Sequence, residues 1–583
     1  HNGSVQGFDI REFNPKDFGF GSNVTGITNS SSTGYQYYAQ RYSMTDDFPF
    51  AEINVFQLGL YAQDKWTVSD KLNLTLGLRI DVPFFMTDLQ SNDKVAAETY
   101  RDGIKIDVSK YPNAKPQFSP RFGFNYKPFD DENGSLQIRG GTGLFTGTPP
   151  YVWISNQAGN NGVLFGDLNV RAVKDKNDNI ISDGRPSLGF TGNMDTYKPA
   201  EGSATRSDIA ITDPDFKYPS LWKSNIAADY KFGDGWVATV ELLYSKDINA
   251  IYHDNIGLYR TEQFVNDGGA GNARPYYNGY YSDREGNQKA ANHVVMLRNT
   301  SKGHSLYTTF QLQKNFVDGI LKGLYLNGSY SFGQSRGVTD GTSSVATSAW
   351  KYRAALDGNA EEVGYTAGSF DGRLLLSASY TANWSKYAAT SFGLIYQRYR
   401  PFRYSYCYNG DANGDSQFSN DLMYIPANFD EVKDHLLPGD FDSQEDAWKA
   451  MNAFIEQDPY LSKHRGEYAE RNGAVAPFAN QLDLSVSHDI KIYQKNGRSH
   501  TLRFSFNIAN FLNLLNRNWG VVQTTVLGNQ QYQFLTIPKG QGPSAANNYT
   551  LKYTMAKDLD ETFKDNLNDV SRWQMQFGIK YIF

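Results

Sequence analysis

Apolar and polar side chains alternate with a period of two through many segments of this chain. In KLNLTLGLRID the apolar row is Leu72, Leu74, Leu76, Leu78 and Ile80, and the polar row is Asn73, Thr75, Gly77, Arg79 and Asp81. Similar rows occur in 481–490, 501–510 and 572–583. Because successive side chains of a strand point to opposite faces, these patterns predict β-strands with one apolar and one polar face.

Short and long connections alternate between the predicted strands. Tight turns join six hairpins: 52–69 with 71–84, 118–128 with 134–147, 222–232 with 236–252, 304–316 with 321–335, 372–384 with 388–401, and 478–493 with 499–514. Long segments separate them: 85–117, 148–221, 253–303, 336–371, 402–477 and 515–571. Loops of this length are rare inside compact domains. Short turns on one rim and long loops on the other are typical of outer-membrane barrels.

The fold prediction is therefore an all-β, transmembrane antiparallel β-barrel with its apolar rows against lipid. Arg79, Glu241, Arg503 and Lys580 all fall on polar rows, as expected where Arg or Lys at the lipid midplane costs about 2–4 kcal/mol. No apolar run approaches the roughly 18 residues of a membrane-spanning helix. A secreted β-sandwich array is the soluble alternative, which the asymmetry of the loops disfavours.

The strand count is odd. Six hairpins and a last strand at 572–583 make about 13 strands, whereas bacterial barrels have even numbers and an open edge in lipid leaves unpaired backbone groups. We expect the remaining strands in sequence preceding His1, with residues 1–50 in an extracellular loop. Two segments inside the long loops, FLTIP (534–538) and YTLKYTM (549–555), are further candidates for barrel strands.

The composition and the motifs of the sequence argue against some classes of function. Aromatic residues make up 15% of the 583 residues, with 39 Tyr and 37 Phe, and the net charge is -6. That modest charge, without a basic patch, predicts no nucleic-acid partner. HExxH, GxSxG and phosphate-binding loops are absent from the sequence, so we expect no enzyme activity. The lone Cys407 cannot form an internal disulfide.

Several stretches resemble a known family. GIKYIF (578–583) is similar to the C-terminal signal that the barrel-assembly machinery recognises, with Gly578, Tyr581 and Phe583 at the matching places. LGLYAQDKWTVSDKLNLTLGLRID (58–81) resembles a barrel hairpin of TonB-dependent receptors. Three more stretches resemble the Oar-like branch of these receptors, found in Bacteroidetes: NGDANGDSQFSNDLMYIP (409–426), RGEYAERNGAVAPFANQLDLSV (465–486) and FNIANFLNLLNRNWG (506–520).

The resemblance implies a 22-strand barrel, closed by an N-terminal plug, that imports a substrate with energy relayed by TonB. Residues 1–583 would be the barrel domain, incomplete at its N-terminus and without plug or TonB box, and 402–477 would be a large extracellular loop. The implied location is the outer membrane of a Gram-negative bacterium, with the loops extracellular and the C-terminus periplasmic. Implied partners are membrane lipid and lipopolysaccharide, TonB, the barrel-assembly machinery and an extracellular lipoprotein lid. Alternatives are an adhesion or protein-export component and a passive porin.

A candidate Ca²⁺ site lies in the large loop. Oxygen-bearing side chains recur at the spacing of calcium loops, at Asp411, Asn413, Asp415, Gln417 (through its backbone carbonyl) and Asp421. Calcium takes six to eight oxygen ligands, which such a loop could supply. The usual glycine is replaced by Ser416, and the last acid comes one position early. Because Asp, Asn and Gly also form turns, a plain turn remains the alternative.

Aromatic clusters mark three loops: YQYY (35–38), YYNGYY (276–281) and RYRPFRYSYCY (398–408). They could grip a substrate or form an aromatic girdle at the membrane surface. For 398–408 we favour the girdle. For 276–281 both interpretations stand, and substrate binding is assigned to Tyr276, Tyr277, Tyr280 and Tyr281.

One helix is predicted in the loops, at 443–457. Ser443 and Asp446 form a capping pair, and Trp448, Met451, Phe454 and Ile455 share a face. This apolar stripe predicts packing of the helix on its own loop, with contact to a partner protein as the alternative.

Overall fold

The computed structural model describes residues 7–12, 37–43, 51–171, 173–174, 180–181, 206–269, 273–493, 499–528 and 531–583. Its main element is one antiparallel sheet in which thirteen long strands each pair with the next along the chain, and the short strand Gly364–Tyr365 pairs with Leu324–Gly337 beside them. The long strands, numbered within this sheet, are β1 Val55–Ser69, β2 Leu72–Phe85, β3 Gln117–Asp131, β4 Gly134–Thr146, β5 Ser220–Phe232, β6 Trp236–Asp247, β7 Gly303–Asn315, β8 Leu324–Gly337, β9 Arg373–Ser385, β10 Ala388–Tyr399, β11 Ala479–Tyr493, β12 Ser499–Ala509 and β13 Gln574–Ile582.

The predicted hairpins are confirmed. All six occur, each within a few residues of its predicted bounds, and the last strand follows as predicted. The pairing preserves the rows: Leu60 lies opposite Ile80, and Phe506 opposite Phe577. Period-two patterning therefore fixed both the strands and their register, since a one-residue slip would move every side chain to the other face.

The apolar rows lie on one face of the sheet and are open to the surroundings. Leu76 is 52% exposed, Phe310 48% and Phe577 65%. An apolar surface that continues across thirteen strands exceeds what a water-soluble monomer tolerates. Asp64 is an exception, because it lies on the apolar row of β1 opposite Leu76. It is five residues from the short turn, toward the membrane surface, where the cost of a charge is small.

Large aromatic side chains gather at the short-turn end of this face. Trp66, Trp384 and Tyr387 are 58%, 67% and 49% exposed, and the rings of Phe232 and Trp236 stack at 6.2 Å. Amphipathic rings favour the headgroup depth of a membrane. This rim of the sheet therefore has the composition of an aromatic girdle.

The sheet is open among the described residues. Strand β1 pairs only with β2, and β13 only with β12, in this part of the chain. The candidate strands at 534–538 and 549–555 do not extend it, so that prediction was wrong. Gln531–Thr536 pairs instead with Arg403–Asn409 and Thr554–Met555, inside the long loops.

The long connections fold into what we call the loop layer, the described parts of 86–116, 147–219, 248–302, 338–372, 400–478 and 510–573. Its helices are α1 Asp93–Ala97, α2 Tyr151–Gly159, α3 Ala346–Lys351, α4 Gln444–Gln457 and α5 Phe511–Leu515. Its strands are Phe165–Arg171, Val173–Lys174, Ile180–Ile181, Ser207–Thr212, Ala250–Asn255, Leu258–Phe264, Pro275–Tyr280, Ala291–Thr300, Gly364–Tyr365, Arg403–Asn409, Tyr424–Ile425, Glu467–Tyr468, Ala474–Val475, Gln523–Thr525, Gln531–Thr536, Thr554–Met555 and Phe563–Asp565. Gly7–Glu12 and Tyr37–Ser43 form a small sheet with Phe165–Arg171.

Among the described residues, none of the helices has the length and apolar character needed to cross a membrane.

Candidate functional site

The loop layer contains the hydrophobic core of the molecule. Its largest cluster brings together side chains from Arg403–Asn409, α4, Gln531–Thr536 and the segment around Tyr553. Tyr406, Tyr532 and Phe534 are each 0% exposed in it. Burial of this kind contributes about 1.5–3 kcal/mol per large side chain. The long loops are thus a packed unit that can hold side chains in fixed positions.

Residues 402–408 of the aromatic stretch 398–408 belong to this core or pack against it, so the girdle interpretation was wrong for them. Tyr404, Tyr406 and Tyr408 are at most 1% exposed, and the hydroxyl of Tyr406 donates to Asp458 at 2.6 Å. The alternating pattern resembles that of a membrane-spanning strand, but here the strand is enclosed by protein. For YQYY, residues 35 and 36 lie outside the described residues, and Tyr37 begins a strand.

Helix α4 confirms the predicted cap and its favoured packing. The Ser443 hydroxyl accepts a hydrogen bond from the backbone N–H of Asp446 at 3.1 Å and donates to its carboxylate at 2.7 Å. Met451, Phe454 and Ile455 are buried in the core of the loop layer, and Trp448 packs against Phe429. The apolar stripe therefore faces its own loops.

Of the three stretches that resemble Oar-like receptors, the second contacts both of the others. Tyr424–Ile425 of the first pairs with Glu467–Tyr468 of the second. The backbone N–H of Asn510, in the third, donates to Asp483 of the second at 2.8 Å. Asn510 has φ +53° and donates through its side chain to the carbonyl of Gly520. A side chain at Gly520 would collide with Asn510, which explains the glycine.

The candidate calcium loop is compact, and its acids are turned toward its own backbone. The Asp411 carboxylate accepts from the backbone N–H groups of Asn413, Gly414 and Ser416 at 2.6–3.1 Å. Asp415 accepts from the N–H of Gln417 at 2.8 Å, and Asp421 from that of Ala412 at 2.8 Å. These are the contacts of a tight turn, and they also bring three carboxylates into one region.

Burial raises the pKa values of all three carboxyl groups. The pKa of Asp421 is raised to about 7 by burial, against the lowering effect of Arg274. Asp415 is 1% exposed, and burial together with the charges of Asp421 and Asp411 raises its pKa. Burial outweighs the backbone hydrogen bonds of Asp411 and raises its pKa as well. The loop therefore holds negative charge in an environment that penalises it.

Arg274 is a functional candidate that the sequence did not reveal. It is 0% exposed and forms ion pairs with Asp267 at 2.9 Å and Asp421 at 3.1 Å. It also donates to the carbonyl of Leu422. Asp421 lies 147 positions away, and no local pattern marks such a pair. This ion-pair cluster attaches the candidate calcium loop to the neighbouring hairpin.

No group of three or more His, Cys, Asp or Glu side chains is placed to hold a metal ion in the described part of the chain. The three carboxylates consequently do not form a complete site by themselves. Any ion there would also need amide and backbone oxygens, for example from Asn413 and Gln417.

The tyrosines assigned to substrate binding lie next to this loop. Tyr276 is 8% and Tyr277 1% exposed. The hydroxyl of Tyr277 donates to Asp357 at 2.7 Å, and its backbone N–H donates to the carbonyl of Asn413 at 2.8 Å. Tyr280 packs on His293, and Tyr281 on Tyr259. Tyr276 and Tyr277 therefore support the loop, and Tyr280 and Tyr281 are the half-buried members of the group.

Gly578 and Tyr581 of the C-terminal signal lie on β13, and Phe583 follows it directly. Tyr581 and Phe583 are 57% and 90% exposed on the apolar face, and Gly578 lies opposite Ser505 on the polar face. Their role in barrel assembly stays a prediction.

The polar face of the sheet carries paired charges. Arg79 contacts Asp81 through two hydrogen bonds of 2.7 Å, and Arg503 contacts Asp489 at 2.6 and 2.8 Å. Paired and hydrogen-bonded charges suit a wet face and would be costly in hydrocarbon. Paired charges thus lie on the polar face of the sheet near both of its ends.

The sequence matches the family described as "Outer membrane beta barrel domain" over residues 6–544. The chain belongs to this family. The antiparallel sheet of thirteen long strands with one apolar face is accordingly the wall of a barrel in an outer membrane. No curated protein matches the chain in sequence.

Several solved structures are similar in fold. The siderophore receptor PirA from Acinetobacter baumannii is 8% identical with a TM-score of 0.37, and covers 82% of this chain and 47% of its own. BauA, the ferric preacinetobactin receptor from Acinetobacter baumannii, is 10% identical with a TM-score of 0.36, covering 95% and 52%. The copper transporter OprC is 9% identical with a TM-score of 0.36, covering 82% and 48%. This chain spans about half the length of these proteins, and its likeness to them concerns the fold alone.

Proposed function

We propose that this protein is a TonB-dependent outer-membrane transporter of the Oar-like branch, which imports a substrate captured by its loop layer. The observation that carries the proposal is the loop layer itself. Its residues form a buried core, and the second Oar-like stretch contacts the first inside this layer and the third beside the sheet. A packed layer of this kind can present a fixed binding surface, which a general pore would not need.

The proposed orientation follows from the connections. The long loops face the cell exterior, and the short turns and the C-terminus face the periplasm, as in outer-membrane barrels with short periplasmic turns. A substrate bound by the loop layer would then pass along the polar face of the wall. Energy would come from TonB through a plug.

The test uses the native strain with the full-length protein. Fluorescently labelled peptide and oligosaccharide pools are supplied separately, and label in the periplasm is measured with and without TonB. We expect one pool to accumulate only when both this protein and TonB are present. Uptake that requires this protein but is unchanged without TonB would indicate a passive porin. Loss of surface attachment or of secreted protein, with uptake unaffected, would indicate adhesion or export.

The proposed partners follow the same orientation. Lipopolysaccharide and membrane lipid would contact the apolar face, and the barrel-assembly machinery would recognise β13. A lipoprotein lid would cover the loop layer from outside. Copurification of the full-length protein from native membranes, with mass spectrometry of the bound proteins, tests the lid.

We also propose that the loop around Asp415 binds Ca²⁺. The support is the burial of Asp415 and Asp421 with raised pKa values, together with the buried Oδ1 of Asn420, which has no hydrogen-bond partner among the described residues. A divalent cation would neutralise this charge and bind oxygen ligands of the type calcium prefers.

Thermal unfolding with and without Ca²⁺ tests the calcium proposal. We expect Ca²⁺, and Mg²⁺ much less, to raise the Tm of the wild-type protein. Asp415→Asn should abolish the rise, whereas Asp430→Asn should keep it, because the Asp430 side chain is 86% exposed outside the loop. A Tm of the wild-type protein that does not respond to Ca²⁺ would leave the plain turn as the explanation.

A further inference from the structure

A cavity of about 510 Å³ lies where the polar face of the barrel wall meets the loop layer. Phe145, Leu221 and Asp247 form its floor and are neighbours across β4, β5 and β6 at the long-loop end. Trp153 of α2 and the segment 339–341 form its other side. Its volume is that of a small-ligand site.

Most of the lining is apolar. The largest apolar side chains in it are those of Phe145, Trp153, Leu221 and Ile251. The indole of Trp153 is held in place, because its N–H donates to the carbonyl of Ser343 at 2.8 Å and its ring packs edge-on against His253. The cavity therefore has a fixed aromatic wall that needs no rearrangement to accept an apolar group.

Two carboxylates accompany this apolar lining. Asp247 is half-buried, and its carboxylate accepts no hydrogen bond and forms no ion pair among the residues that the structure describes. The adjacent Lys246 and His304 act on Asp247 through space only, and the Lys246 ammonium donates its hydrogen bonds to the carbonyls of Ser301 and Gly303 instead. Among the described residues, Asp340 accepts hydrogen bonds from the N–H of Ala367 and the amide of Asn472, both neutral donors, and the charge of Arg471 acts on it through space.

A half-buried carboxylate without a partner is costly, and a cationic ligand would offset that cost. Trp153 adds the attraction of an aromatic ring for a cation. We propose that this cavity binds a lysine or arginine side chain of a peptide, with Asp247 as its charge partner and the apolar wall holding a neighbouring hydrophobic residue. As a statement about the imported substrate, this rests on the transport function proposed above. The existence of the binding site itself does not depend on that function.

Calorimetry on the purified, detergent-solubilised protein tests the site directly. The probes are N-acetyl-Phe-Arg-amide, its uncharged counterpart N-acetyl-Phe-Gln-amide, and butane-1,4-diamine as a free polyamine. We expect the arginine peptide to bind at least tenfold more tightly than the other two. Equal affinity of the two peptides would overturn the proposal, and tighter binding of the diamine would replace the peptide with a polyamine.

Variants locate the binding. Asp247→Asn should weaken the binding of the arginine peptide at least tenfold and leave the affinity for the glutamine peptide unchanged. Asp234→Asn is the matched control, because Asp234 is an exposed acid in the turn at the opposite end of the same hairpin. This variant should bind the arginine peptide as tightly as the wild-type protein does. Unchanged binding by Asp247→Asn would contradict the site. The comparison of peptides on the wild-type protein decides the matter if the variant fails to fold.

The outcomes are separable from the transport test. Tight binding of the arginine peptide with TonB-independent uptake would retain the site and reject energised import. Uptake that depends on TonB, without tight binding of the arginine peptide, would retain energised import and reject the site.

Discussion

The wall of the barrel and the loop layer place the same residue types in opposite surroundings. Leu76 on β2 is 52% exposed, whereas Phe454 on α4 is 1% exposed. The wall does not bury its apolar rows against protein, because they are complementary to lipid. The loop layer stands in water and must build its own core. The exposed apolar rows therefore mark the part of the chain that contacts lipid, and the buried apolar core marks the part that stands in water.

Charged groups show the same contrast. Arg79 and Asp81 on the wall form an ion pair in which the arginine side chain is 42% exposed. In the loop layer, Arg274 and its two acids are at most 1% exposed. Exposed pairs contribute little to stability, whereas removing one partner of a buried pair leaves an uncompensated charge. The loop layer should be the part of the molecule that is more sensitive to charge removal.

The largest expected effect is the loss of Arg274. Arg274→Met leaves Asp267 and Asp421 without their cation, so we expect the loop layer to lose about 3–5 kcal/mol. Hydrogen exchange of the loop layer measures this loss. Arg260→Met is the control, since its pair with Asp357 is partly exposed, and it should cost at most about 1 kcal/mol. Equal effects of the two variants would remove the distinction between buried and exposed ion pairs.

A charge on the lipid face should act on the wall instead. Leu76→Arg places a cation in the apolar row, at a cost of about 2–4 kcal/mol near the midplane. We expect less protein in the outer membrane and loss of heat-modifiable gel mobility. Thr75→Arg, one residue away on the polar face, should assemble normally. Normal assembly of Leu76→Arg would place that row outside hydrocarbon.

The smallest expected effect is at the cap of α4. Ser443→Ala removes the hydrogen bond to the N–H of Asp446 and should cost about 1 kcal/mol. Faster hydrogen exchange should be confined to α4 and its neighbours, with the wall unaffected. Ser443→Asp should restore protection, because it can cap in the same way. If both variants exchange alike, the cap contributes nothing.

The wall could be predicted from sequence, whereas most of the loop layer could not. Rows such as Leu72 to Ile80 are local, and alternation with period two identifies strand, face and register together. The cap of α4 is local as well, and it was found. Arg274 and Asp421 are 147 positions apart, and Asp247 became a candidate only because Trp153 and 339–341 fold over it. The alternation in Arg403–Asn409 was misleading, because a strand buried in protein and one at a membrane surface share the pattern.

The central claim is that hydrocarbon contacts the apolar rows of the wall, and spin labels in a bilayer test it most directly. The only cysteine, Cys407, is 0% exposed and burial raises the pKa of its thiol, so labels attach selectively at Leu76→Cys or Thr75→Cys. For protein in lipid vesicles, we predict that the label at 76 collides with dissolved oxygen and is shielded from a water-soluble nickel complex. The label at 75 should show the reverse. A label at 76 that is as accessible to nickel as the one at 75 would contradict the account.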